Sequence, residues 1–246
     1  MTATTSIIRS LRDLGLSADP LSGTPWKAVA VQSEQCFSYV AWNEQTCEAL
    51  VVDPKKEDLE SYLRVARPLA GYLWLGVIDT HTHADHVSAA AQLAEHLHAP
   101  VIMHALAPSK RVDVRIGRET ALPSRSSPLH IVLTPGHTPD SITPIWGPFL
   151  FGGDTILYGD VGRDDLPGGS PEDHYASVER LKAIATPSLL MLPGHDHKGG
   201  RASTWAEQLK CNASLTQPRE EFIREAASFD GAAPALLKVS LRENFK

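Results

Sequence analysis

The chain has 246 residues, 42% of them hydrophobic, enough to bury a full core as one domain over 1–246 with short appendages. A net charge of −6 gives no bulk attraction to nucleic acid or acidic membranes, and no apolar run is long enough to span a bilayer. The three cysteines (Cys36, Cys47, Cys211) form no CxxC, so neither a disulfide framework nor a thiolate zinc site is indicated, and the cytoplasm is the expected compartment.

Residues 1–24 read as a polar N-terminal extension, broken by Gly15, Pro20 and Gly23 and lacking the apolar core of a signal peptide. The spacing of Ile7, Ile8, Leu11 and Leu14 predicts a short amphipathic helix lying on the body or on a partner subunit, which makes a homodimer an expectation. Strands are then predicted over 28–31, 37–42 and 49–53, a helix over 56–66, a buried strand over 72–78 and a helix over 87–98. Further strands follow at 100–104, 129–134, 141–146, 149–152 and 189–192. Between them, Lys110, Arg111, Arg115, Arg118 and Arg125 crowd a loop that reads as a solvated face. A helix over 171–185 opens with a Ser170 N-cap, Pro171 at the first helical position and acids in the first turn. A C-terminal helical tail, 205–246, begins with a capping box from Thr204 to Glu207 and carries helices over 205–214 and 218–229.

The run His81-Thr82-His83-Ala84-Asp85-His86 lies on the turn between the 72–78 strand and the next helix. Three imidazoles and a carboxylate on one strand-to-helix turn suit zinc, iron or manganese. Three more potential ligands repeat the arrangement. His137 follows Pro135-Gly136, Asp154 follows Gly152-Gly153, and His195 follows Pro193-Gly194, each just after an apolar strand. Glycine at such turns allows tight geometry and close approach to an ion. His96, His98, His104, His130 and His174 match no ligand position and read as surface or half-buried imidazoles; His197, two residues after His195, leaves open both that reading and a supporting role beside His195.

The order HxHxDH, then His137, Asp154 and His195, resembles the metallo-β-lactamase-fold superfamily over roughly residues 28 to 212. The resemblance implies an α/β fold, an αββα four-layer sandwich of two mixed sheets with helices outside. It also implies a site of two halves: His81, His83 and His137 in one, Asp85, His86 and His195 in the other, and Asp154 between them. The segments from Gly159 to Gly169 and from Pro193 to Asn212 resemble the glutathione-linked branches, persulfide dioxygenases and glyoxalase II-like thiolester hydrolases. His195-Asp196-His197-Lys198-Gly199, followed by a Ser-Thr helix start, is closer to the dioxygenases, although His197 stands where an aromatic is usual. Val161 and Asp164 depart from the dioxygenases' usual Cys and Thr around Arg163, and an acid there could pair with the arginine.

By the dioxygenase resemblance, one Fe(II) per chain is held by His81, His137 and Asp154, leaving positions open for a persulfide and O2. Asp85 and His195 would then handle protons, and Arg163 would clamp a carboxylate of glutathione. By the hydrolase resemblance two Zn, Fe or Mn ions engage all seven ligands, Asp85 orients a metal-bound hydroxide, and a thiolester is cleaved. The expectation is a non-heme iron sulfur dioxygenase acting on glutathione persulfide, with the thiolester hydrolase as the alternative.

Overall fold

Along β4 (Glu48–Val52), Leu50 and Val52 point into one buried cluster while Ala49 and Val51 point into another, so the strand is covered on both faces. A computed structural model, which describes residues 6–16, 20–196, 199, 201–229, 231–232 and 234–246, shows what covers it. The first sheet has seven strands in sequence order: β1 (Ile7–Ser10), β2 (Trp26–Ser33), β3 (Cys36–Asn43), β4, β5 (Leu73–Ile78), β6 (Val101–His104) and β7 (Val114–Ile116). The second runs β13 (Ser203–Thr204), β12 (Leu190–Pro193), β11 (Phe149–Gly153), β10 (Ile142–Trp146), β9 (Leu129–Leu133) and β8 (Thr120–Leu122). Phe37, Tyr39, Leu50 and Ile78 from the first sheet meet Leu129, Trp146, Phe149 and Phe151 from the second in the inner core.

The outer faces take the helices. Tyr62 of α1 (Leu59–Ala66) and Leu93 of α2 (Ala90–Leu97) pack on Val40, Val51 and Val77. Val178 and Leu181 of α3 (Pro171–Ile184), Trp205 of α4 (Trp205–Cys211) and Phe222 of α5 (Arg219–Ala227) pack on Val132, Leu150 and Met191. The architecture is the αββα sandwich. A last helix, α6 (Leu237–Asn244), returns to the loop after β5. Strands β4 to β7 are mutually parallel, as are β11 and β12, so the carboxyl ends that carry the candidate ligands gather at one edge of the sandwich.

The structure corrects two predicted elements and places two short strands, β7 and β8, in the stretch from Lys110 to Arg125 that reads as a loop. Residues 7–10 form an edge strand paired antiparallel with β2, not an amphipathic helix. Adjacent β-branched Ile7 and Ile8 suit a strand, and a turn over 11–15 is enough to send Leu11 and Leu14 into the core. The helix predicted from 87 begins at Ala90, because residues 87–89 are drawn out to pair with 54–56: Lys56 N donates to Val87 O and Ala89 N to Pro54 O. The capping side chains of Ser170 and Thr204 do accept from Asp173 N and Glu207 N.

At the opposite edge, Glu48 is wholly buried and accepts from Thr46 Oγ1, Ser124 Oγ, Arg125 N and Ser126 N at 2.7–3.1 Å. These bonds tie β4 to the turn that leads into the second sheet. Glu48→Ala removes the acceptor of these four part-buried hydrogen bonds and is expected to cost about 1–3 kcal/mol in denaturant unfolding.

Candidate metal centre

Each candidate ligand is delivered by the end of a strand. Past β5, Thr80 O accepts from Ile142 N at 2.7 Å, which fixes the His81–His86 turn to the second sheet. At the end of β11, Gly153 has φ +49°, and a Cβ there would come within 2.6 Å of Thr80 Oγ1. Glycine is thus required both by the backbone and by the close approach of the two turns.

His81, His137 and Asp154 form one group, each offering a ligand atom within 4.8 Å of the others. His137 Nδ1 lies 2.6 Å from the Arg163 carbonyl, to which it donates; this leaves Nε2 as the lone-pair nitrogen, 3.4 Å from Asp154 Oδ2. His81 Nδ1 is 3.0 Å from Thr80 Oγ1, and its Nε2 is 4.0 Å from the same Asp154 oxygen. The other Asp154 oxygen faces His195 Nδ1 at 2.7 Å, so the carboxylate stands between two clusters. In the second cluster, Asp85 Oδ2 lies 3.1 Å from both His86 Nδ1 and His195 Nε2.

Four further residues in the site are absent from the sequence-derived set. Asp53, buried after β4, accepts from Thr80 N at 2.7 Å and lies 3.1 Å from His83 Nε2. Asp140 accepts from Thr82 N at 3.1 Å. Asn244 of α6 donates to His83 O and His86 O and accepts from Ser88 N, all at 2.9–3.0 Å. Cys36 Sγ lies 3.1 Å from Asp85 Oδ2 and 3.7 Å from His195 Nε2. Asp-Pro after β4, and an Asp three residues past His137, were the only local signals. Cys36 and Asn244 had none.

A cavity of about 580 Å³ opens beside Asp154, His137 and His195, walled by Leu157, Val161 and Phe222. Arg163 lines it, but its guanidinium is engaged: Nε donates to Asp165 Oδ1 at 2.6 Å, Nη1 and Nη2 donate to Ala232 O and Gly231 O, and the Phe229 ring lies beneath. The acid paired with Arg163 is Asp165. Asp164 instead sits 2.6 Å from His174 Nδ1 in a wholly buried pair, so His174 is a core residue that holds α3 to the loop after β11. His197 lies outside the described residues.

Burial lowers the His81 pKa and neighbouring His83 lowers it further, so His81 is held neutral, well below the ordinary imidazole range. Burial also disfavours charge on His86, but the Asp85 carboxylate outweighs it and pushes His86 up to about 10. Asp154 balances burial against the charges of His195, His137 and His81, and its carboxyl lies far below the usual range.

Two atoms show that the residues fit a metal. His83 Nδ1 and His86 Nε2 are buried with no hydrogen-bond partner, an arrangement that costs free energy unless something binds there. Although Asp53, Asp79 and His83 also cluster, the carboxylates lie towards His83 Nε2 and leave Nδ1 unpaired, so they orient the ring rather than complete a separate ion site.

Fold and site together define a metal-dependent enzyme with the metallo-β-lactamase fold. The particular proteins it resembles include persulfide dioxygenases. It is 26% identical over 212 residues to the mitochondrial persulfide dioxygenase ETHE1 of Mus musculus, covering 85% of this chain and 83% of that protein. The crystal structure of ETHE1 from Myxococcus xanthus superposes with a TM-score of 0.79 at 29% identity, over 86% of this chain and 93% of that one. A metallo-beta-lactamase from Staphylococcus aureus subsp. aureus COL gives a TM-score of 0.78 at 25% identity, over 90% and 72%. No protein-family model matches the chain. Among the described residues, no helix is long and apolar enough to cross a membrane.

Asp53→Asn keeps the size of the side chain but weakens its hold on His83 and the Thr80 turn. Metal affinity, measured by competition with a chromogenic chelator, is expected to fall about 10–100-fold. Protonation sets a second expectation. An ion at His81 displaces no imidazolium proton from that residue at neutral pH, whereas one reaching His86 must displace a proton held up to about pH 10. Affinity on the His86 side should therefore rise as pH increases towards that value. Calorimetry in buffers of different ionisation enthalpy checks this; proton release should accompany the second ion bound.

Proposed function

We propose that this chain is a non-heme iron sulfur dioxygenase that oxidises glutathione persulfide to sulfite and glutathione, with one Fe(II) per chain. The observation that carries the reading is the convergence of His81, His137 and Asp154 beside the cavity. Two imidazoles and one carboxylate are the donor set of non-heme iron oxygenases. Iron held there supplies the one-electron chemistry that lets spin-paired sulfur react with triplet O2. The likeness to persulfide dioxygenases supports the same choice.

The remaining residues have separate tasks. The Arg163 carbonyl holds His137 in the tautomer that leaves Nε2 free. The apolar wall of Leu157, Val161 and Phe222 keeps bulk water from the reacting sulfur. Conversion of a persulfide, O2 and water into thiol and sulfite releases two protons. Asp85 and His195, linked at 3.1 Å and reaching the cavity, are placed to carry them off. For Arg163 to bind a glutathione carboxylate, the substrate would have to replace Asp165, which now occupies the guanidinium fork.

A second reading, a dinuclear thiolester hydrolase, is favoured by one observation: His86 Nε2 is buried and has no hydrogen-bond partner, while its Nδ1 and His195 Nε2 both lie 3.1 Å from Asp85 Oδ2. Oxygen uptake separates the two. Fe(II)-loaded protein given glutathione persulfide should consume O2 and form sulfite, and His81→Ala should abolish both. Iron-loaded protein that takes up no oxygen, but cleaves thiolesters when loaded with two metal ions, would replace the dioxygenase with the hydrolase.

A further inference from the structure

The start of α3 forms a back wall for the loops that deliver His137 and Asp154. On either side of His174 in sequence, Ser170 N donates to Gly136 O at 2.8 Å and Ser177 Oγ to Pro135 O at 2.7 Å. A Cβ on Gly136 would lie 2.3 Å from His174 Cα, so the backbone before His137 rests directly on the helix. The His174 ring reaches two further segments: its Nδ1 is 2.6 Å from Asp164 Oδ1 and its Nε2 is 2.8 Å from Thr155 O. A carbonyl can only accept, so Nε2 carries a proton; a second proton lies between Nδ1 and the carboxylate. Both ring nitrogens are therefore committed. Thr155 is the residue after Asp154. Asp164 is the residue after Arg163, whose carbonyl accepts from His137 Nδ1 at 2.6 Å. Between these segments Gly162 N donates to Asp154 O at 2.9 Å. One buried ring outside the centre thus joins the backbone behind two of its ligands.

We propose that His174, paired with Asp164, is a positioning residue for His137 and Asp154: it holds the Arg163 carbonyl against His137 Nδ1 and the Thr155 carbonyl behind Asp154. The role rests on the corner formed by His81, His137 and Asp154 as a metal site, not on the substrate that corner serves. His174 is wholly buried and Asp164 nearly so, and Asp164 Oδ2 has no hydrogen-bond partner. Burying such a pair costs desolvation, and apolar residues of similar volume would hold a helix as well or better. Val178 and Leu181 already anchor α3 in that way. What apolar contacts lack is direction, and direction is what a peptide carbonyl needs to fix the ring that donates to it. Without the pair, the Arg163–Asp164 peptide is free to turn away from His137. The His137 ring then samples the tautomer with its proton on Nε2, which offers an ion no lone pair there.

Co²⁺ titration of the metal-free full chain reads the effect directly. The paired substitution His174→Leu with Asp164→Val removes both partners together and leaves no buried charge unpaired, so it is expected to fold, which circular dichroism checks. Its affinity for the first ion should fall about tenfold or more, and the visible absorption of the bound Co²⁺ should change. Asp164→Asn keeps a donor for His174 Nδ1 and should match the parent in both readouts. If the paired variant does not fold, Asp164→Ala, which cuts only the tie to the Arg163 peptide, takes its place with the same expected loss. Long-range ¹H–¹⁵N NMR of the metal-free protein adds a readout that a mere helix anchor would not move. His137 should be a single Nδ1–H tautomer in the parent and in Asp164→Asn, and a mixture in the paired variant. Parent-like affinity, absorption and tautomer in the folded paired variant, or an equal loss in Asp164→Asn, overturns this role alone. A parent chain that binds no Co²⁺ overturns the metal corner with it. None of these readouts involves oxygen uptake, so failure of the dioxygenase reading is separately visible.

Discussion

The site depends on one buried carboxylate. Asp53 follows β4 with φ +52°, a conformation uncommon outside glycine, and its own N–H is bound to Ile78 O at the end of β5. From there its two oxygens take Thr80 N, Thr80 Oγ1 and His83 Nε2, so one side chain sets the course of the chain leaving β5 and the face that His83 presents. Burial opposes its charge, but His83 and the Thr80 N–H outweigh the penalty and keep the carboxyl below the usual range. Thr80 passes the constraint on through contacts with His81, Ile142 and the space vacated at Gly153.

The second sheet answers with backbone bonds. Gly194 N donates to Gly153 O, and Gly194 O accepts from Phe37 N, so the His195 loop is stitched both to its parallel neighbour and across to the first sheet. The candidate ligands thus come from turns that are bonded to one another before any ion binds. Such a site needs little reorganisation on binding, and its imidazoles lose little freedom when they coordinate.

Much of this was legible in the chain because the relevant signals are local. A strand read from its apolar run, a Gly or Pro, and then a His or Asp are all contained in a few residues at the ends of β9, β11 and β12, and the turn after β5 announces itself by its run of histidines alone. What escaped was non-local or ambiguous in its local form. Asp53 sat inside a predicted strand, and only its neighbour β5 makes it an organiser. Cys36 precedes Asp85 by 49 residues, and nothing around it distinguishes it from a core thiol. The first strand was misread because a short apolar run fits a helix face and a strand edge equally well until its partner is known. Arg163 was visible as a cation near the site. Its engagement by Asp165 and by the carbonyls of 231–232 was not, since those carbonyls lie 68 and 69 residues further on.

Asn244 has a consequence for biogenesis. It closes on the carbonyls of His83 and His86 from 158 to 161 residues further along the chain. A ribosome therefore releases the histidine-rich turn long before it releases the residue that braces it. For most of synthesis the emerging chain holds several exposed imidazoles in a turn that has not taken its final form. Faithful metal selection is then a property of the finished molecule. An ion captured early meets a looser set of ligands and can be exchanged, whereas one that arrives after α6 has docked meets the site as folded.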